Sequence, residues 1–247
     1  MRAKWEWPAL ALIVLATAVL RYPLLELPLE RDEGGYAYGA QEILRGGATY
    51  VDFYTMRFPA IFGAYAAIIG AFGETARAIH LGLLLVNALT TIFIFLAGRS
   101  IFNPMVGLGA AAAYSLLNLG SATEGFSANA EQFVVLFAAP GIWLTARAVN
   151  TDRRWTWFAA GACFGMAYLM KQHGLMFVLF GGFMALAAFR RRTLREALPG
   201  LASYAAGAAL PVFISLAHLA ASSRLDEWRY WTLDYAGGYA ASTGIAH

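Results

Sequence analysis

Long apolar runs, interrupted by short polar stretches, make up most of this chain. A run of about 20 apolar residues has the length that an α-helix needs to cross a bilayer, so the pattern predicts an all-α polytopic membrane protein. The two shortest runs are separated only by the polar stretch 171–174. We expect about seven membrane-spanning helices in a single module, 1–247, near residues 7–26, 76–98, 104–121, 131–148, 155–170, 174–189 and 197–221.

Composition strengthens this prediction. Hydrophobic residues make up 60% of the chain and charged residues only 13%, against about 25% charged residues in soluble domains. The N-terminal run is longer than the apolar region of a typical signal peptide and lacks a clear cleavage site, so we interpret it as a retained first span. Cys163 is the single cysteine, which excludes an internal disulfide and a thiolate metal site.

Charged residues orient the predicted helices. With the N-terminus in the cytoplasm and each run crossing once, the cytoplasmic segments hold ten basic and three acidic residues, and the opposite side holds eight basic and twelve acidic residues. An excess of Lys and Arg on the cytoplasmic side is the usual rule for membrane proteins. We therefore attribute the net charge of +3 to membrane topology and expect no nucleic-acid partner.

The first outer loop, 27–75, is longer than the others and is predicted to carry interfacial helices. One helix would have Asp32 as its N-cap and would end at Gly46 and Gly47. A second apolar piece, 58–72, is expected to be interfacial or re-entrant, because a further span here would invert every later loop and remove the charge asymmetry. The first helix would have one apolar face, formed by Tyr36, Ala40, Ile43 and Leu44.

Several ionisable residues lie at the edge of the apolar runs in this loop. Asp32 and Glu33 either stabilise a helix N-terminus or supply a partly desolvated carboxylate that acts as a general base. Arg57 is near Tyr54 and is either a snorkelling cation in an aromatic belt or a ligand for an anionic headgroup. Arg77, at the start of the second span, is either an anchor or a further phosphate ligand.

Two later outer segments add candidates. Glu131 is predicted in the first turn of the fourth span, where it either caps the helix or, together with Asp32, activates a hydroxyl or holds a divalent metal ion. Lys171 either belongs to a simple turn or anchors a lipid phosphate. Three histidines show no metal-ligand spacing, and we expect no role for them: His80, His218 and His247.

Four short motifs follow one another in a fixed relation to the predicted spans. They are Asp32-Glu33-Gly34-Gly35-Tyr36, Arg57-Phe58-Pro59, Ala76-Arg77 and Gly165-Met166-Ala167-Tyr168-Leu169-Met170-Lys171. In type, order and spacing they resemble the motifs of GT-C membrane glycosyltransferases of the protein O-mannosyltransferase and aminoarabinose-transferase type. Arg57 stands where the family has lysine, and a single proline replaces its double proline.

The resemblance implies a polyprenyl-phosphate sugar donor and a glycan, lipid or protein acceptor, since the chain has no P-loop or dinucleotide-binding motif. The resemblance also implies that the chain is the catalytic module of such an enzyme, without the usual C-terminal half. The protein would lie in a bacterial inner or plasma membrane, with its active site on the extracytoplasmic side. The only cofactor that the resemblance suggests is a divalent metal ion, which Asp32 and Glu131 would hold. The implied roles are general base for Asp32 with Glu33, phosphate binding for Arg57, Lys171 and Arg77, and orientation of acceptor or sugar for Glu131, Tyr36 and Tyr54.

Two other classes of function stay open at this point. A transporter or flippase for lipid-linked sugars would also use an aromatic rim and anion-binding arginines, but its ionisable residues would lie near the midplane of the spans. The predicted spans are nearly free of charge in their interiors, with Arg21 as the partial exception. A non-catalytic membrane scaffold is the third class.

Overall fold

A computed structural model shows an almost entirely helical chain, and the all-α prediction is confirmed. The structure describes residues 5–120, 123–151, 153–190 and 193–244, so His247 lies outside the described residues. The helices are α1 (Glu6–Arg21), α2 (Arg31–Leu44), α3 (Pro59–Phe72), α4 (Ala76–Ile101), α5 (Pro104–Leu117), α6 (Ala130–Thr151), α7 (Arg154–Met170), α8 (Leu175–Phe189), α9 (Leu194–Ala221), α10 (Leu225–Arg229) and α11 (Ala236–Gly244). Short 3₁₀ and π segments at Tyr22–Glu26, Gln172–Gly174 and Tyr230–Tyr235 connect some of them.

Five helical stretches in the described part of the chain are long and apolar enough to cross a membrane, which fits an integral membrane protein. The predicted spans 104–121 and 155–170 correspond to α5, with 14 residues, and α7, with 17 residues. Both are shorter than the roughly 20 residues of an upright span. The count of seven crossings therefore stays a prediction. The five long stretches are Glu6–Glu26, Ala76–Ile101, Ala130–Thr151, Gln172–Phe189 and Leu194–Ala221.

Helices α1 and α4 run antiparallel, because contacts join them at both ends. At one end the Arg99 Nη2 atom lies 3.2 Å from Glu6 Oε1. At the other end the His80 Nδ1 atom lies 3.1 Å from the backbone oxygen of Leu25. The start of α1 therefore lies beside the end of α4, and the segment that follows α1 lies beside the start of α4.

Helices α7 and α9 cross closely, since glycines allow their backbones to approach. A Cβ atom built on Gly165 would lie 2.3 Å from the backbone oxygen of Ala208, and one built on Gly161 would lie 2.2 Å from that of Tyr204. Small residues at helix crossings in membranes permit this kind of packing. The crossing fixes the direction of α7, which ends one residue before Lys171.

Residues 27–75, which we predicted to be the first outer loop, contain the helices α2 and α3, and two details of α2 differ from the prediction. Its N-cap is Glu30, whose carboxylate accepts a hydrogen bond from the Asp32 backbone, so the prediction of Asp32 as the cap was wrong. Leu44 is 49% exposed and does not belong to the buried face. The helix ends where predicted, and Gly46 takes a φ of +90°, a conformation that glycine adopts without strain.

Helix α3 packs on α2 and α4 through one buried face. The Tyr36 ring of α2 meets the rings of Phe62 and Tyr65 edge-on, with centroids 5.9 and 5.5 Å away. Gly39 leaves room for the Phe62 ring, since a Cβ there would lie 2.6 Å from it. The position of α3 relative to the bilayer stays a prediction.

Candidate active site

A cavity of about 630 Å³ opens beside the first turns of α2, and we call it the site cavity. Four parts of the chain line it: α2, the loop 48–57, Phe62 of α3 and the segment Tyr230–Tyr235. The predicted site residues on its wall are Asp32, Tyr36, Tyr54 and Arg57.

Asp32 and Arg57 form an ion pair on this wall. Arg57 Nη2 lies 3.2 Å from Asp32 Oδ2, and the two side chains are 30% and 32% exposed. The Arg31 Nε atom lies 3.5 Å from the other carboxylate oxygen, but the Arg31 side chain is 90% exposed. A carboxylate and a guanidinium therefore meet at a partly desolvated surface that a substrate can reach.

Tyr36 places an unpartnered hydroxyl at the same wall. Its side chain is only 4% exposed, and its hydroxyl has no hydrogen-bond partner among the described residues. Burial raises the pKa of Tyr36 to about 12, although the charge of Arg57 acts in the opposite direction. The hydroxyl therefore stays protonated near neutral pH, and it is a buried donor that no described residue uses.

The loop that carries Arg57 is held in a fixed shape. Tyr50 is almost fully buried, and its hydroxyl donates to the backbone oxygen of Arg57 at 2.8 Å. Its φ of +74° is unusual for a bulky residue and marks a strained backbone. Asp52 Oδ2 accepts a 2.7 Å hydrogen bond from the Ala48 backbone, so its carboxylate stabilises the loop turn.

A second ion pair joins Glu131, in the first turn of α6, to Lys171, which follows α7. The next residue, Gln172, donates from Nε2 to the backbone oxygen of Met56 at 2.8 Å. Since Met56 precedes Arg57, this bond ties the Lys171 turn to the loop of the first ion pair. Lys171 and Glu131 are therefore linked to the site cavity through a neighbouring residue, although neither is part of its lining.

Glu33 and His80 form a buried pair behind Asp32, at 1% and 4% exposure. His80 Nε2 lies 3.2 Å from Glu33 Oε1, which also accepts from the Ala128 backbone at 2.5 Å. Burial raises the pKa of Glu33, but the hydrogen bonds that it accepts from His80, Ala128 and Glu30 outweigh burial and hold this pKa below its ordinary value of 4.5. The sequence predicted no role for His80 because it lacks metal-ligand spacing, and that spacing cannot indicate its contact with the Glu33 carboxylate.

The segment Tyr230–Tyr235 supplies an aromatic wall that the sequence did not predict. The Trp231 ring stacks on the Tyr54 ring, with centroids 5.0 Å apart and planes at 27°. Tyr235 also lines the site cavity. Single-turn π segments inside helices are frequent at functional sites, but the sequence offered only a cluster of aromatic residues here.

An apolar groove of about 380 Å³ lies between α3, α7 and α9. It begins at Pro59, two residues after Arg57, and Leu169 borders it two residues before Lys171. The centroids of the Phe58 and Tyr168 rings lie 5.1 Å apart, so the residue before α3 contacts α7 next to the groove. Its lining is almost entirely apolar and consists of Pro59, Ala60, Met166, Leu169, Leu210, Pro211, Ile214, Ser215 and His218.

The structure does not place Arg77 at the site cavity, and it does not show a metal-binding group among the described residues. Arg77 pairs with Glu26 and lies over the Tyr22 ring, at 5.8 Å from its centroid, away from the cavity lining. Within the described residues no group of three or more His, Cys, Asp or Glu side chains is arranged to hold a metal ion. Each of the carboxylates suggested for a metal, Asp32 and Glu131, has a cation as its partner instead, and a metal requirement stays a prediction.

Comparison of the sequence with known proteins shows the family to which the chain belongs. No curated protein and no solved structure matches the chain. The model of the family described as dolichyl-phosphate-mannose-protein mannosyltransferase matches residues 58–218, about two thirds of the chain. The matched part includes Glu131 and Lys171 and begins just after Arg57. Together with the apolar helices, this match identifies the chain as a membrane glycosyltransferase of the GT-C type that belongs to the dolichyl-phosphate-mannose-protein mannosyltransferase family.

Proposed function

We propose that the chain moves a sugar from a polyprenyl-phosphate donor to an acceptor hydroxyl at the outer face of the membrane, with inversion at the anomeric carbon. One observation carries this proposal: the Asp32 carboxylate and the Arg57 guanidinium lie 3.2 Å apart on the wall of one cavity. The first group can accept a proton and the second can hold a phosphate. Sugar transfer from a phosphate donor to a hydroxyl needs a proton acceptor and a phosphate ligand close together.

Asp32 is the proposed general base. The acceptor hydroxyl gives its proton to an oxygen of Asp32 while the acceptor oxygen forms a bond to the anomeric carbon. The bond from that carbon to the phosphate oxygen breaks, and polyprenyl phosphate leaves with the electron pair. The Tyr36 hydroxyl and the ring of Tyr54 would orient the sugar or the acceptor.

Arg57 and Lys171 are the proposed phosphate ligands. Without a donor, each is paired with a carboxylate, Asp32 or Glu131. A donor phosphate would compete for Arg57 and thereby free an oxygen of Asp32 for proton transfer. Fixed cations then stabilise the charge that grows on the leaving phosphate. Arg77 is left outside this machinery, because it lies beside Glu26 rather than at the cavity.

The apolar groove supports a lipid-linked donor. It leads from the chain positions next to Arg57 and Lys171 into the region between α3, α7 and α9. An isoprenoid chain would bury apolar surface there while its phosphate reaches the two cations. A water-soluble nucleotide sugar would leave this groove unused.

The charge distribution supports the outer face. Glu131 lies at the start of α6 and Lys171 at the end of α7, so both belong to one end of the bundle. Arg99, Arg147 and Arg154 lie near the opposite ends of their helices. Because basic residues favour the cytoplasmic side, the site end is expected outside.

Transfer by the purified protein in lipid nanodiscs tests the proposal. The donors are polyprenyl-phosphate mannose and other polyprenyl-phosphate sugars, the acceptor is a peptide rich in serine and threonine, and the product is measured by mass spectrometry. Asp32→Asn should lower the turnover by about a hundredfold or more, because loss of a general base has effects of this order. Glu42→Gln is the matched control, since Glu42 lies on the same helix and its carboxylate, among the described residues, pairs with Arg45 alone.

Three results would overturn parts of the proposal. Wild-type turnover in folded Asp32→Asn would exclude Asp32 as the base. Transfer from a nucleotide sugar, with none from the lipid donors, would exclude the proposed donor. Movement of an intact lipid-linked sugar across a vesicle membrane, without cleavage at the anomeric carbon, would indicate a transporter.

A further inference from the structure

We propose that Glu33 and His80 form a positioning unit that sets the distance between the two ion pairs of the site. This inference rests on the proposed function, because it assigns a role relative to Asp32 and Glu131. Neither Glu33 nor His80 lines the site cavity. They act by holding the backbone that carries the groups that do the chemistry.

Glu33 joins the start of α2 to the turn before α6. Its Oε2 atom accepts from the Glu30 backbone at 2.8 Å, and its Oε1 atom accepts from the Ala128 backbone at 2.5 Å. Asp32 is the neighbour of Glu33, and Glu131 lies three residues after Ala128. One buried carboxylate therefore connects the chain segments that carry the two candidate carboxylates.

His80 fixes the orientation of this carboxylate. Its Nδ1 atom faces the backbone oxygen of Leu25 at 3.1 Å, and a carbonyl oxygen can only accept, so Nδ1 carries a proton. Its Nε2 atom then pairs with Glu33 through a further shared proton, at 3.2 Å. The imidazole is thus held from both sides, and it connects α4 and the end of the first span to Glu33.

Ala128 is held by both of its backbone polar groups. Its N–H donates to Glu33, and its carbonyl oxygen accepts from the Tyr65 hydroxyl at 2.7 Å. Ala128 and Tyr65 are fully buried. A loop residue with this many fixed contacts has little freedom, so the first turn of α6 is placed by α2, α3 and α4 together.

These contacts close a ring around the site. Asp32 binds Arg57, the Gln172 side chain binds the Met56 backbone next to Arg57, and Lys171 binds Glu131. The ring returns from Glu131 to Asp32 through Ala128 and Glu33. A shift of Glu33 would therefore change the separation of Asp32 and Glu131, and misplacement of reacting groups by about 1 Å can lower turnover a hundredfold.

Stability alone is a weak explanation for this pair. Buried ion pairs lose so much hydration that apolar replacements of similar volume are often as stable. A positioning role and a purely structural role can be separated by kinetics, because a destabilised protein that remains folded keeps its turnover, whereas a displaced site does not.

The experiment compares His80→Leu, His80→Gln and Asn87→Leu in nanodiscs, with polyprenyl-phosphate sugar as donor. Leu removes the contact to Glu33, Gln keeps a donor there, and Asn87 is a buried residue of the same helix whose hydrogen bonds involve Leu83, Tyr114 and Asn118 instead. His80→Leu should lower kcat about ten- to a hundredfold with an unchanged KM for the donor. His80→Gln should restore most of kcat, and Asn87→Leu should keep it.

Equal kcat values for folded His80→Leu and Asn87→Leu, or no rescue by His80→Gln, would overturn the proposal. If His80→Leu does not fold, Tyr65→Phe removes only the hydroxyl on the Ala128 carbonyl, and an unchanged kcat in that variant has the same consequence. Hydrogen exchange of the Ala128 amide gives a readout without activity: it should accelerate in His80→Leu and not in Asn87→Leu. No transfer by the wild type, with this acceleration present, would reject the proposed function and leave the positioning unit standing.

Discussion

Replacing Gly165 by alanine should weaken the crossing of α7 and α9. The new Cβ would lie 2.3 Å from the backbone oxygen of Ala208, and Cβ contacts below 3.0 Å are essentially never seen. A backbone oxygen cannot rotate away as a side chain can, so the two helices would have to separate locally by about 0.7 Å. Overpacking of this kind costs about 1–3 kcal/mol in the free energy of unfolding.

Gly109→Ala is the matched control, because Gly109 lies inside helix α5 and its Cβ would meet nothing within 4 Å. Alanine is favoured over glycine in an exposed helix by up to about 1 kcal/mol, so this variant should be neutral or slightly more stable. Unfolding in mixed micelles of rising SDS content, followed by tryptophan fluorescence, measures both variants. Equal midpoints for Gly165→Ala and Gly109→Ala would refute the close-crossing argument.

Three further predictions concern acid stability, a buried arginine and the aromatic wall. The pKa of Glu33 is lowered in the folded protein, so its contribution to stability is present above pH 4.5 and is lost as the pH falls through the folded pKa; acid unfolding monitored by circular dichroism should show this loss in the wild type and much less of it in Glu33→Gln. The buried guanidinium of Arg21 donates to two loop carbonyls at 2.7 and 2.8 Å, so Arg21→Met should cost about 2–4 kcal/mol, and an unchanged unfolding midpoint would contradict this. Trp231→Ala removes a ring that stacks on Tyr54 and lines the site cavity, so the KM for donor or acceptor should rise; unchanged KM values for both would exclude the wall from binding.

Features that depend on residues close together in the sequence were predicted correctly in most cases. Apolar periodicity placed α2, and the polar stretch 171–174 marked the break between α7 and α8. The cap was misplaced because several acids lie together at the start of α2, and any of Glu30, Asp32 and Glu33 has the chemistry of a cap. The structure selects Glu30 through its hydrogen bond to the Asp32 backbone.

Contacts between distant residues could not be predicted in this way. His80 and Glu33 are 47 residues apart, and Ala128 and Glu33 are 95 apart, so no local pattern indicates that they meet. The side-chain chemistry and the motifs of Asp32 and Arg57 indicate that each belongs to a site. Their pairing follows from the packing of α2 against the loop 48–57 and is not visible in the sequence. The contact of Trp231 with Tyr54 depends on the end of α9 and is likewise absent from any local signal.

The aromatic wall has a consequence for biosynthesis. Two sides of the site cavity come from the first quarter of the chain, whereas Trp231 and Tyr235 come from a segment that follows α9. During translation the N-terminal parts of a chain are made first, so α1 to α9 would all have been made before this wall exists. In a nascent chain, Asp32 and Arg57 would therefore lie in a more open cleft until Trp231 and Tyr235 are made and pack against the loop 48–57.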